Sequence, residues 1–584
     1  MQKLSILVLS LFLVQCQSRK IVIHNGENTF MASTIRTEHA NSEAKGQKFA
    51  IATQGIYATK AAQEIFSLGG NAIDAAIAAS FTLAVERPHS TGIGGGGFML
   101  FREGKSKKVY AIDFRERAPL TAKSNMFIGA EGVAAPALSQ NGILATAVPG
   151  LVAGLLEIHQ KFGRLSLKKV LSPSIQLARG GFPIYPSLSK ALIQKESLLA
   201  LDAEASKIFL DQNKKALPLG HKLIQKDLAA TLERIAKEGR AGFYQGPTAK
   251  RLAQFSKKSK GLITKKDLNQ YLVKWRKPLV GSYKGTAIFS MPPPSSGGIH
   301  VIQFLNMLEN DQLNEKKFLS TDSIHLAASA LQSAFTDRAR YLGDPDFVKI
   351  PSAILTSKEY AGARRAQFYP DRARKSFEVD AGVATNFNET TEHTETTHLS
   401  IMDENGDTVS TTQTINGYMG ASIVVPGTGI VLNNEMDDFT AQVGASNLFG
   451  AIGGAPNSIE PGKTPLSSMS PTIVVKDGMS IMSLGAPGGT RIISCVAQTL
   501  LNYLEFNLPL FQSVAAVRYH HQWKPDVLDI DPPGPEPLTL QRLQKMGYDV
   551  RIAPVPCNVM AVVREDKIFH AVADPRDIGT SAAQ

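Results

Sequence analysis

A predicted β-hairpin that begins at Thr396 is the feature that most constrains how this chain folds. Two runs rich in β-branched residues, typical of strands, flank an Asn-Gly pair at residues 405–406. This pair indicates a tight turn, because glycine readily takes the positive φ that such a turn requires. If Asp403 pairs with Asp407, the register places Thr414 directly opposite Thr396. Two hydroxyl side chains would then meet at the open end of the hairpin.

Thr396 also has the chemistry of a candidate nucleophile. A threonine hydroxyl needs a base to take its proton, and the residue's own free α-amine is one available base. Such an amine has a pKa of about 7.7–8.0, so it is substantially neutral near pH 8. It is free only if the bond between Glu395 and Thr396 is cut. Thr-Thr pairs are also common in ordinary strands, and a purely structural role is the competing interpretation.

The composition is that of a globular protein large enough for several cores or one layered assembly. The chain has 584 residues, of which 43% are hydrophobic and 20% charged. Its net charge of +12 would suit an anionic partner, but the basic residues are dispersed, with one richer stretch at residues 250–277. No nucleic-acid-binding motif accompanies them, so we expect no nucleic-acid partner. Solvated helix faces are the favoured explanation of these basic residues, and an anionic small substrate or an envelope surface is the alternative.

Residues 1–16 have the form of a secretory signal peptide. One lysine, Lys3, precedes an apolar run at residues 4–14 that is too short to span a membrane. The sequence before Cys16 resembles a relaxed lipobox, although Gln15 replaces the small residue usual there. Either Cys16 is lipidated and becomes the mature N-terminus, or an ordinary signal is cleaved nearby. In both cases we expect an exported protein, periplasmic or extracellular, that meets a membrane only through a lipid anchor.

The sequence lacks the common motifs of metal, nucleotide and α/β-hydrolase sites. It has no C-x-x-C, H-E-x-x-H or G-x-S-x-G. Residues 462–464 imitate the end of a P-loop, but Asn457 stands where its first glycine belongs and Pro465 disrupts the helix start. We therefore expect no metal and no cofactor. The two cysteines outside the leader, Cys495 and Cys557, exclude a disulfide framework but leave a single bridge open.

Local signals outside the hairpin predict further elements. Residues 49–53 are typical of a strand, Thr59 indicates the cap of one helix, and Asn71 with Asp74 indicates a capping arrangement for the next. The glycine-rich run at residues 92–97 lacks the lysine of a phosphate-binding loop. We interpret it as backbone that packs closely against another segment.

Seven blocks of the sequence together resemble the γ-glutamyltransferase (γ-glutamyltranspeptidase) family of N-terminal-nucleophile hydrolases. They occur in the family's order, at residues 92–100, 113–119, 147–150, 396–398, 432–439, 465–473 and 485–492. The resemblance implies an α/β fold, a four-layer αββα sandwich that two subunits form jointly. One precursor would cut itself before Thr396. After the leader, its products would be a helix-rich large subunit of residues 17–395, with part of the sheet, and a small subunit of residues 396–584.

The resemblance also assigns catalytic roles. Thr396 matches the nucleophile, with its new α-amine as the base, and Thr414 matches the threonine that hydrogen-bonds it. The backbone N–H groups of Gly488 and Gly489 match the oxyanion hole, where small residues let the backbone approach a reacting carbonyl. His398, two residues after the nucleophile, is the alternative base, although lone histidines are more often structural.

Six further positions match residues that bind the zwitterionic head of a γ-glutamyl substrate: Arg115, Asn416, Glu435, Asp438, Ser467 and Ser468. The fork of Arg115 would grip the α-carboxylate, with Ser467 and Ser468 as hydroxyl donors. Asn416, Glu435 and Asp438 would accept hydrogen bonds from the α-ammonium. The resemblance thus implies donors on one side of the head and acceptors on the other.

Two positions depart from the pattern of some family members. Phe449 stands where some bacterial members have a lid tyrosine, so a hydrogen bond from the lid to Asn416 is unavailable. The loop at residues 439–463 is still long enough for a lid. Glu435 replaces the glutamine of some members and adds negative charge beside the substrate ammonium.

Three functional hypotheses follow, and the first is favoured. In it, Thr396 attacks a γ-glutamyl amide such as that of glutathione, and water or an amino acid or peptide acceptor takes the acyl group. In the second, a related amidase of the same fold acts on another acyl group, as cephalosporin-acylase relatives do. In the third, a non-catalytic surface protein has kept the fold. The intact head-binding set favours the first, and the retained catalytic residues argue against the third.

Overall fold

The computed structural model describes residues 22–25, 28–31, 42–379 and 396–584. The predicted leader with Cys16 and the predicted cleavage residue Glu395 lie outside these ranges. Within them, no helix is both long and apolar enough to cross a membrane. The same residues include no cluster of three or more His, Cys, Asp or Glu that could hold a metal ion.

The helices of the described residues are α1 Ile56–Ser67, α2 Ala72–Glu86, α3 Pro136–Gln140, α4 Leu151–Phe162, α5 Leu167–Gly180, α6 Pro186–Leu199, α7 Ala203–Phe209, α8 Lys226–Glu238, α9 Ala241–Tyr244, α10 Gly246–Lys258, α11 Lys265–Gln270, α12 Gly297–Leu308, α13 Thr321–Tyr341, α14 Ser352–Leu355, α15 Lys358–Arg365, α16 Arg491–Leu504, α17 Leu510–Ala515 and α18 Pro537–Lys545.

The strands are β1 Val22–Asn25, β2 Asn28–Met31, β3 Glu43–Gly46, β4 Phe49–Thr53, β5 Gly96–Arg102, β6 Val109–Asp113, β7 Phe182–Pro183, β8 Lys222–Leu223, β9 Lys274–Arg276, β10 Leu279–Tyr283, β11 Thr286–Ser290, β12 Thr397–Asp403, β13 Thr408–Thr414, β14 Val424–Val425, β15 Ile430–Val431, β16 Thr472–Lys476, β17 Met479–Gly485, β18 Tyr519–His520, β19 Leu528–Ile530, β20 Val550–Ile552, β21 Met560–Glu565, β22 Ile568–Ala573 and β23 Thr580–Ala583.

Two seven-stranded antiparallel sheets form the centre of the molecule. Sheet I has the order β23-β4-β12-β13-β5-β6-β9, and sheet II has the order β10-β11-β16-β17-β21-β22-β3. Helices α1, α2 and α4 pack on the outer face of sheet I, and α12 and α16 pack on that of sheet II. Strands β12 and β13 pack across the interior on β17 and β21. This arrangement confirms the predicted four-layer αββα sandwich.

Side chains of β12 alternate between two hydrophobic cores, as the two-residue period of a strand requires. Ile401 belongs to the core beneath the helices of sheet I, whereas Met402 packs in the core between the sheets, with Val562 and Phe569. Ser400 faces the same way as Met402 and donates to the Met560 carbonyl at 3.1 Å. Even-numbered positions of this strand therefore point toward sheet II.

The predicted hairpin register is confirmed. The pairing runs from Thr397 opposite Gln413 to Met402 opposite Thr408, and the Asp403 N–H donates to the Asp407 carbonyl at 3.1 Å. Strand β12 also pairs with β4, and β13 with β5, so the hairpin occupies the middle of sheet I.

The three predictions from local glycine and helix-cap signals had different outcomes. Close packing of the glycine-rich run is confirmed, because a Cβ at Gly95 would lie 2.0 Å from the Thr414 carbonyl oxygen. The capping box of Asn71 and Asp74 is also confirmed. The cap at Thr59 is wrong, since α1 begins at Ile56. Instead, the buried Thr59 hydroxyl lies 2.9 Å from Thr53 Oγ1, so it connects α1 to β4.

Cys495 and Cys557 form a disulfide, the single bridge that the sequence left open. The bridge joins the N-terminal part of α16 to the loop before β21, with 6.7 Å between the two Cα atoms. Exported proteins commonly keep such bonds.

Candidate active site

Thr396 lies beside Thr414 at the open end of the hairpin, immediately before β12. Its Oγ1 donates a hydrogen bond to Thr414 Oγ1 at 3.2 Å. Thr414 Oγ1 also accepts a hydrogen bond from the Asn416 backbone N–H at 2.8 Å. Both threonines are nearly buried, with 5% and 3% of their surface exposed. The second hydroxyl therefore helps to fix the orientation of the first.

The loop between β17 and α16 brings glycine backbone to this pair. Gly489 lines the same pocket as the two threonines. Its φ of +55° is a left-handed conformation that favours glycine. The carbonyls of Gly488 and Gly489 accept hydrogen bonds from the N–H groups of Arg491 and Ile492, so the loop leads directly into α16. The start of a helix carries partial positive charge, which suits a developing oxyanion.

The pocket beside Thr396 brings together nine of the ten catalytic and binding residues that the sequence predicts. The lining residues are Arg115, Arg338, Thr396, Thr414, Asn416, Glu435, Asp438, Asn447, Phe449, Ser467, Ser468, Met469, Gly489, Thr490 and Ile492. The tenth predicted residue, Gly488, lies against a neighbouring loop, where a Cβ would be 2.8 Å from the Pro556 carbonyl oxygen.

Arg115 forms the charged centre of the pocket and is 1% exposed. Its Nη2 lies 2.5 Å from Asp438 Oδ2, and its Nη1 pairs with Glu435 Oε1 and lies 3.9 Å from Glu116 Oε2. Burial opposes the charge of the guanidinium, but the three carboxyl groups outweigh burial and raise the pKa of Arg115. The cation predicted for the substrate carboxylate is thus paired with two anions predicted for the substrate ammonium.

Glu116 and Glu435 place two buried carboxyl groups beside this arginine. Burial raises the pKa of Glu116 to about 7 and that of Glu435 well above its ordinary value. Neither oxygen of Glu116, nor Oε2 of Glu435, has a hydrogen-bond donor among the described residues. A proton shared by the two carboxyl groups would give each of them a hydrogen-bond partner and would reduce their electrostatic repulsion. Sequence reasoning missed Glu116, although it is the next residue after Arg115.

Ser467 and Ser468 lie in the loop that leads to β16. The Ser467 N–H donates to the Pro294 carbonyl at 2.9 Å, which anchors the loop to the turn before α12. Ser468 Oγ accepts a hydrogen bond from Arg338 Nη2 at 3.4 Å. Arg338 was not predicted, because an arginine within a long helix carries no local signal of a site.

The predicted lid segment, residues 439–463, reaches the pocket through Asn447 and Phe449. Asn447 Nδ2 donates to Asp438 Oδ1 at 2.8 Å, and its Oδ1 accepts a hydrogen bond from the Phe449 N–H at 3.0 Å. The Phe449 ring covers Gly489 so closely that a Cβ there would lie 2.4 Å from a ring carbon. Asn447 was also missed, since nothing in the loop sequence distinguishes it.

His398 is held in the interior between the sheets. Its Nδ1 lies 2.7 Å from Thr412 Oγ1, and its Nε2 lies 3.1 Å from Ser400 Oγ. Burial lowers the pKa of His398 to about 3, so the imidazole stays neutral at physiological pH. These contacts favour the structural interpretation of this histidine.

A threonine at the start of a central strand, a hydroxyl partner and a glycine loop at a helix start, all within an αββα sandwich, define the class of N-terminal-nucleophile hydrolases. Comparison with known proteins narrows this class. The profile of the gamma-glutamyltranspeptidase family matches residues 58–584, and the chain belongs to that family.

Known relatives agree with this membership. The glutathione hydrolase proenzyme of Escherichia coli (strain K12) is 41% identical over 90% of both chains. The crystal structure of the Helicobacter pylori gamma-glutamyltranspeptidase is 40% identical over 58% of this chain and 96% of its own, with a TM-score of 0.55. A cephalosporin acylase from Bacillus halodurans is 25% identical over 93% of this chain and 97% of its own, with a TM-score of 0.78.

Proposed function

We propose that the protein is a self-processing γ-glutamyl acyltransferase and hydrolase that cleaves the γ-glutamyl amide of glutathione and related compounds. The observation that carries this proposal is the hydrogen-bonded pair Thr396 and Thr414 beside a small pocket lined by Arg115, Glu435 and Asp438. A nucleophile thus stands next to charges of both signs, as a zwitterionic γ-glutamyl head requires. Relatives named glutathione hydrolase proenzyme support the substrate class.

In the proposed reaction, Thr396 Oγ1 attacks the γ-carbonyl carbon while its α-amine takes the hydroxyl proton. The N–H groups of Gly488 and Gly489 stabilise the oxyanion. The intermediate collapses when the C–N bond breaks and the leaving amine takes the proton, which leaves a γ-glutamyl ester on Thr396. Water or an acceptor amine then attacks the ester, gives its proton to the α-amine and restores the hydroxyl.

The same pocket would recognise the substrate head. Arg115, Ser467 and Ser468 would donate to the α-carboxylate, and Glu435 and Asp438 would accept from the α-ammonium. Asn416 fits the acceptor side as well. Its Nδ2 donates to the Asn434 carbonyl at 3.0 Å, which directs its Oδ1 away from that carbonyl as an acceptor.

Maturation would use the same hydroxyl. Thr396 Oγ1 would attack the carbonyl carbon of Glu395, the peptide C–N bond would break to free the α-amine, and water would hydrolyse the resulting ester. The products would be a large subunit of residues 17–395 and a small subunit of residues 396–584. They would remain a heterodimer, because β4 and β5 pair with β12 and β13 in sheet I, and β11 pairs with β16 in sheet II.

Export would follow from the predicted leader, residues 1–16, with Cys16 as a candidate lipid anchor. The Cys495–Cys557 bridge supports an oxidising compartment. Mass determination of the mature N-terminus in a host with a lipoprotein pathway separates an acylated Cys16 from ordinary signal cleavage.

The direct test combines processing with substrate turnover. Purified protein should give two bands on a denaturing gel, and terminal sequencing of the smaller band should begin at Thr396. The same preparation should release glutamate from glutathione and transfer the γ-glutamyl group to an added dipeptide. A single uncut chain without glutathione turnover would refute the proposal.

A second candidate is an amidase that acts on another acyl group, which the similarity to the cephalosporin acylase favours. Glutaryl anilide lacks the α-ammonium that Glu435 and Asp438 would bind, so it distinguishes the two activities. Preference for glutaryl over γ-glutamyl anilide would support the amidase.

A further inference from the structure

Two buried arginines line the active-site pocket, but their surroundings differ. Arg115 forms ion pairs with Glu435 and Asp438. Arg338, which is 6% exposed, donates from Nε to Ser296 Oγ at 3.2 Å and from Nη2 to Ser468 Oγ at 3.4 Å. Within the described part of the chain, Arg338 forms no ion pair with a carboxylate.

The charge of Arg338 is therefore only partly balanced. Burial lowers its pKa to about 10; Asp438 opposes this effect at longer range, and Arg115 adds to it. The guanidinium still remains protonated at physiological pH. A buried cation held by neutral hydroxyls gains strongly from a nearby anion, because screening by water is weak there.

In the hydrogen bond between Arg338 and Ser468, the arginine is the donor and the serine hydroxyl is the acceptor. Ser468 Oγ accepts from Arg338, and a hydroxyl has only one proton of its own. That proton is then free to point at an anion in the pocket. Ser296, which accepts from Arg338 Nε, in turn donates from Oγ to the Ser467 carbonyl at 2.8 Å. Arg338 thus contacts the Ser468 hydroxyl directly and is linked to the Ser467 backbone only through Ser296.

We propose that Arg338 is a positioning and specificity-determining residue for the substrate's α-carboxylate: it supplies positive charge in addition to Arg115 and orients the Ser468 hydroxyl as a donor. This inference rests on the proposed γ-glutamyl activity. It predicts that a ligand without an α-carboxylate gains little from Arg338.

The test compares variants on three anilides. γ-Glutamyl anilide carries both head charges, glutaryl anilide lacks the α-ammonium, and 4-aminobutyryl anilide lacks the α-carboxylate. The variant Arg338→Gln removes the charge, and Arg340→Gln is the matched control on an exposed position of the same helix. Inhibition constants of glutarate and 4-aminobutyrate give the same comparison where turnover is slow.

We expect Arg338→Gln to lower kcat/KM about 10- to 100-fold for the two carboxylate substrates, mainly through KM. For 4-aminobutyryl anilide, and for inhibition by 4-aminobutyrate, the change should stay below about 3-fold. The kcat/KM of Arg338→Lys for the carboxylate substrates should lie between those of the wild type and Arg338→Gln, because lysine keeps the charge but lacks the forked guanidinium. Arg340→Gln should match the wild type on all substrates.

If Arg338→Gln lowered kcat/KM and weakened inhibitor binding equally for ligands with and without the α-carboxylate, Arg338 would have only a structural role and the inference would be overturned. Failure of both Arg338→Gln and Arg338→Lys to mature would overturn it in the same way. Failure of the underlying γ-glutamyl activity is separable, because it would appear in the wild-type protein as absent processing or absent turnover of γ-glutamyl anilide.

Discussion

The hydroxyl of Thr396 has two proposed tasks, self-cleavage and acyl transfer, and one substitution tests both. Thr396→Ala should remain a single inactive chain, because it lacks the oxygen that we propose attacks the Glu395 carbonyl carbon. Thr396→Ser keeps that oxygen and is the matched control, so it should still mature, at a changed rate. The measurements are a denaturing gel and turnover of γ-glutamyl anilide. An active, uncut Thr396→Ala protein would contradict the assignment.

The identity of the base is tested by pH dependence. If the α-amine of Thr396 accepts the proton, kcat/KM should rise with pH, with a midpoint at or below about 8. We do not expect His398 to produce this limb, because burial lowers its pKa to about 3 and the imidazole is then neutral across the pH range of the assay. His398→Gln should therefore retain the limb once values are corrected for ionisation of the substrate amine. A variant that matures but loses both the limb and most of its rate would make His398 the base.

His398 also contributes to the pH dependence of stability. Its pKa in the folded protein lies below the value of 6.5 expected without burial, so unfolding at low pH takes up a proton. The contribution is present above about pH 6.5 and is lost as the pH falls toward about 3. His398→Gln should remove this part of the acid sensitivity.

Arg115 is tested by a substitution that keeps its charge. Arg115→Lys loses the fork that reaches Glu435 and Asp438 together. We expect KM for γ-glutamyl anilide to rise about 10-fold or more, with self-cleavage largely intact. Arg117→Lys, at a partly exposed position two residues along, is the control. An unchanged KM in Arg115→Lys would show that another cation holds the carboxylate.

At the scale of elements, the contact between the lid segment and the glycine loop can be tested by a pair of variants. A methyl group at Gly489 would meet the Phe449 ring at 2.4 Å, so Gly489→Ala must displace the ring or the loop. We expect lower kcat/KM with maturation retained. Adding Phe449→Ala should recover part of the loss, since it removes the clash but not the cost of a positive φ at alanine. Additive losses would show that the ring does not cause the defect.

Local rules predicted those elements whose contacts lie near in sequence. The hairpin register followed from a two-residue period and one Asn-Gly turn, and it placed Thr396 beside Thr414 correctly. The rule for helix caps failed at Thr59, because that hydroxyl bonds to Thr53 and Thr580, which belong to other elements. The fold class itself was accessible only through resemblance, since no periodicity determines how two sheets stack.

The sequence predicted the part of the candidate site that lies within the family's blocks, but not the residues that come from other segments. Residues within the family's blocks, such as Arg115 and Ser468, do line the pocket. Arg338 and Asn447 come from a helix and a loop that carry no such block, and only the packing of distant segments brings them there. The pairing of Arg115 with Glu435 was also unforeseen, because opposite charges assigned to different ends of a substrate can equally bind one another.

At the scale of the whole molecule, the Cys495–Cys557 bridge lies within the proposed small subunit and closes a separation of 62 residues. It does not join the two subunits, so denaturing gels with and without reductant should both show two bands. The bridge also lies behind the glycine loop, because a Cβ at Gly488 would be 2.9 Å from Cys557 Cβ. Its loss is therefore expected to destabilise the fold and to make the proposed oxyanion site less rigid.

The variant Cys495→Ser with Cys557→Ser tests this expectation. Chain entropy alone gives a loop of this length about 4 kcal/mol of stabilisation, so Tm should fall by several degrees. Because the loop at residues 553–559 supports Gly488, kcat should fall more than KM rises. Wild-type protein treated with reductant under mild denaturation should reproduce both effects, which separates loss of the bond from the serine side chains. An unchanged kcat with a lowered Tm would show that the bridge contributes only to stability. The position of Gly488 would then depend on its other neighbour, the Pro556 carbonyl.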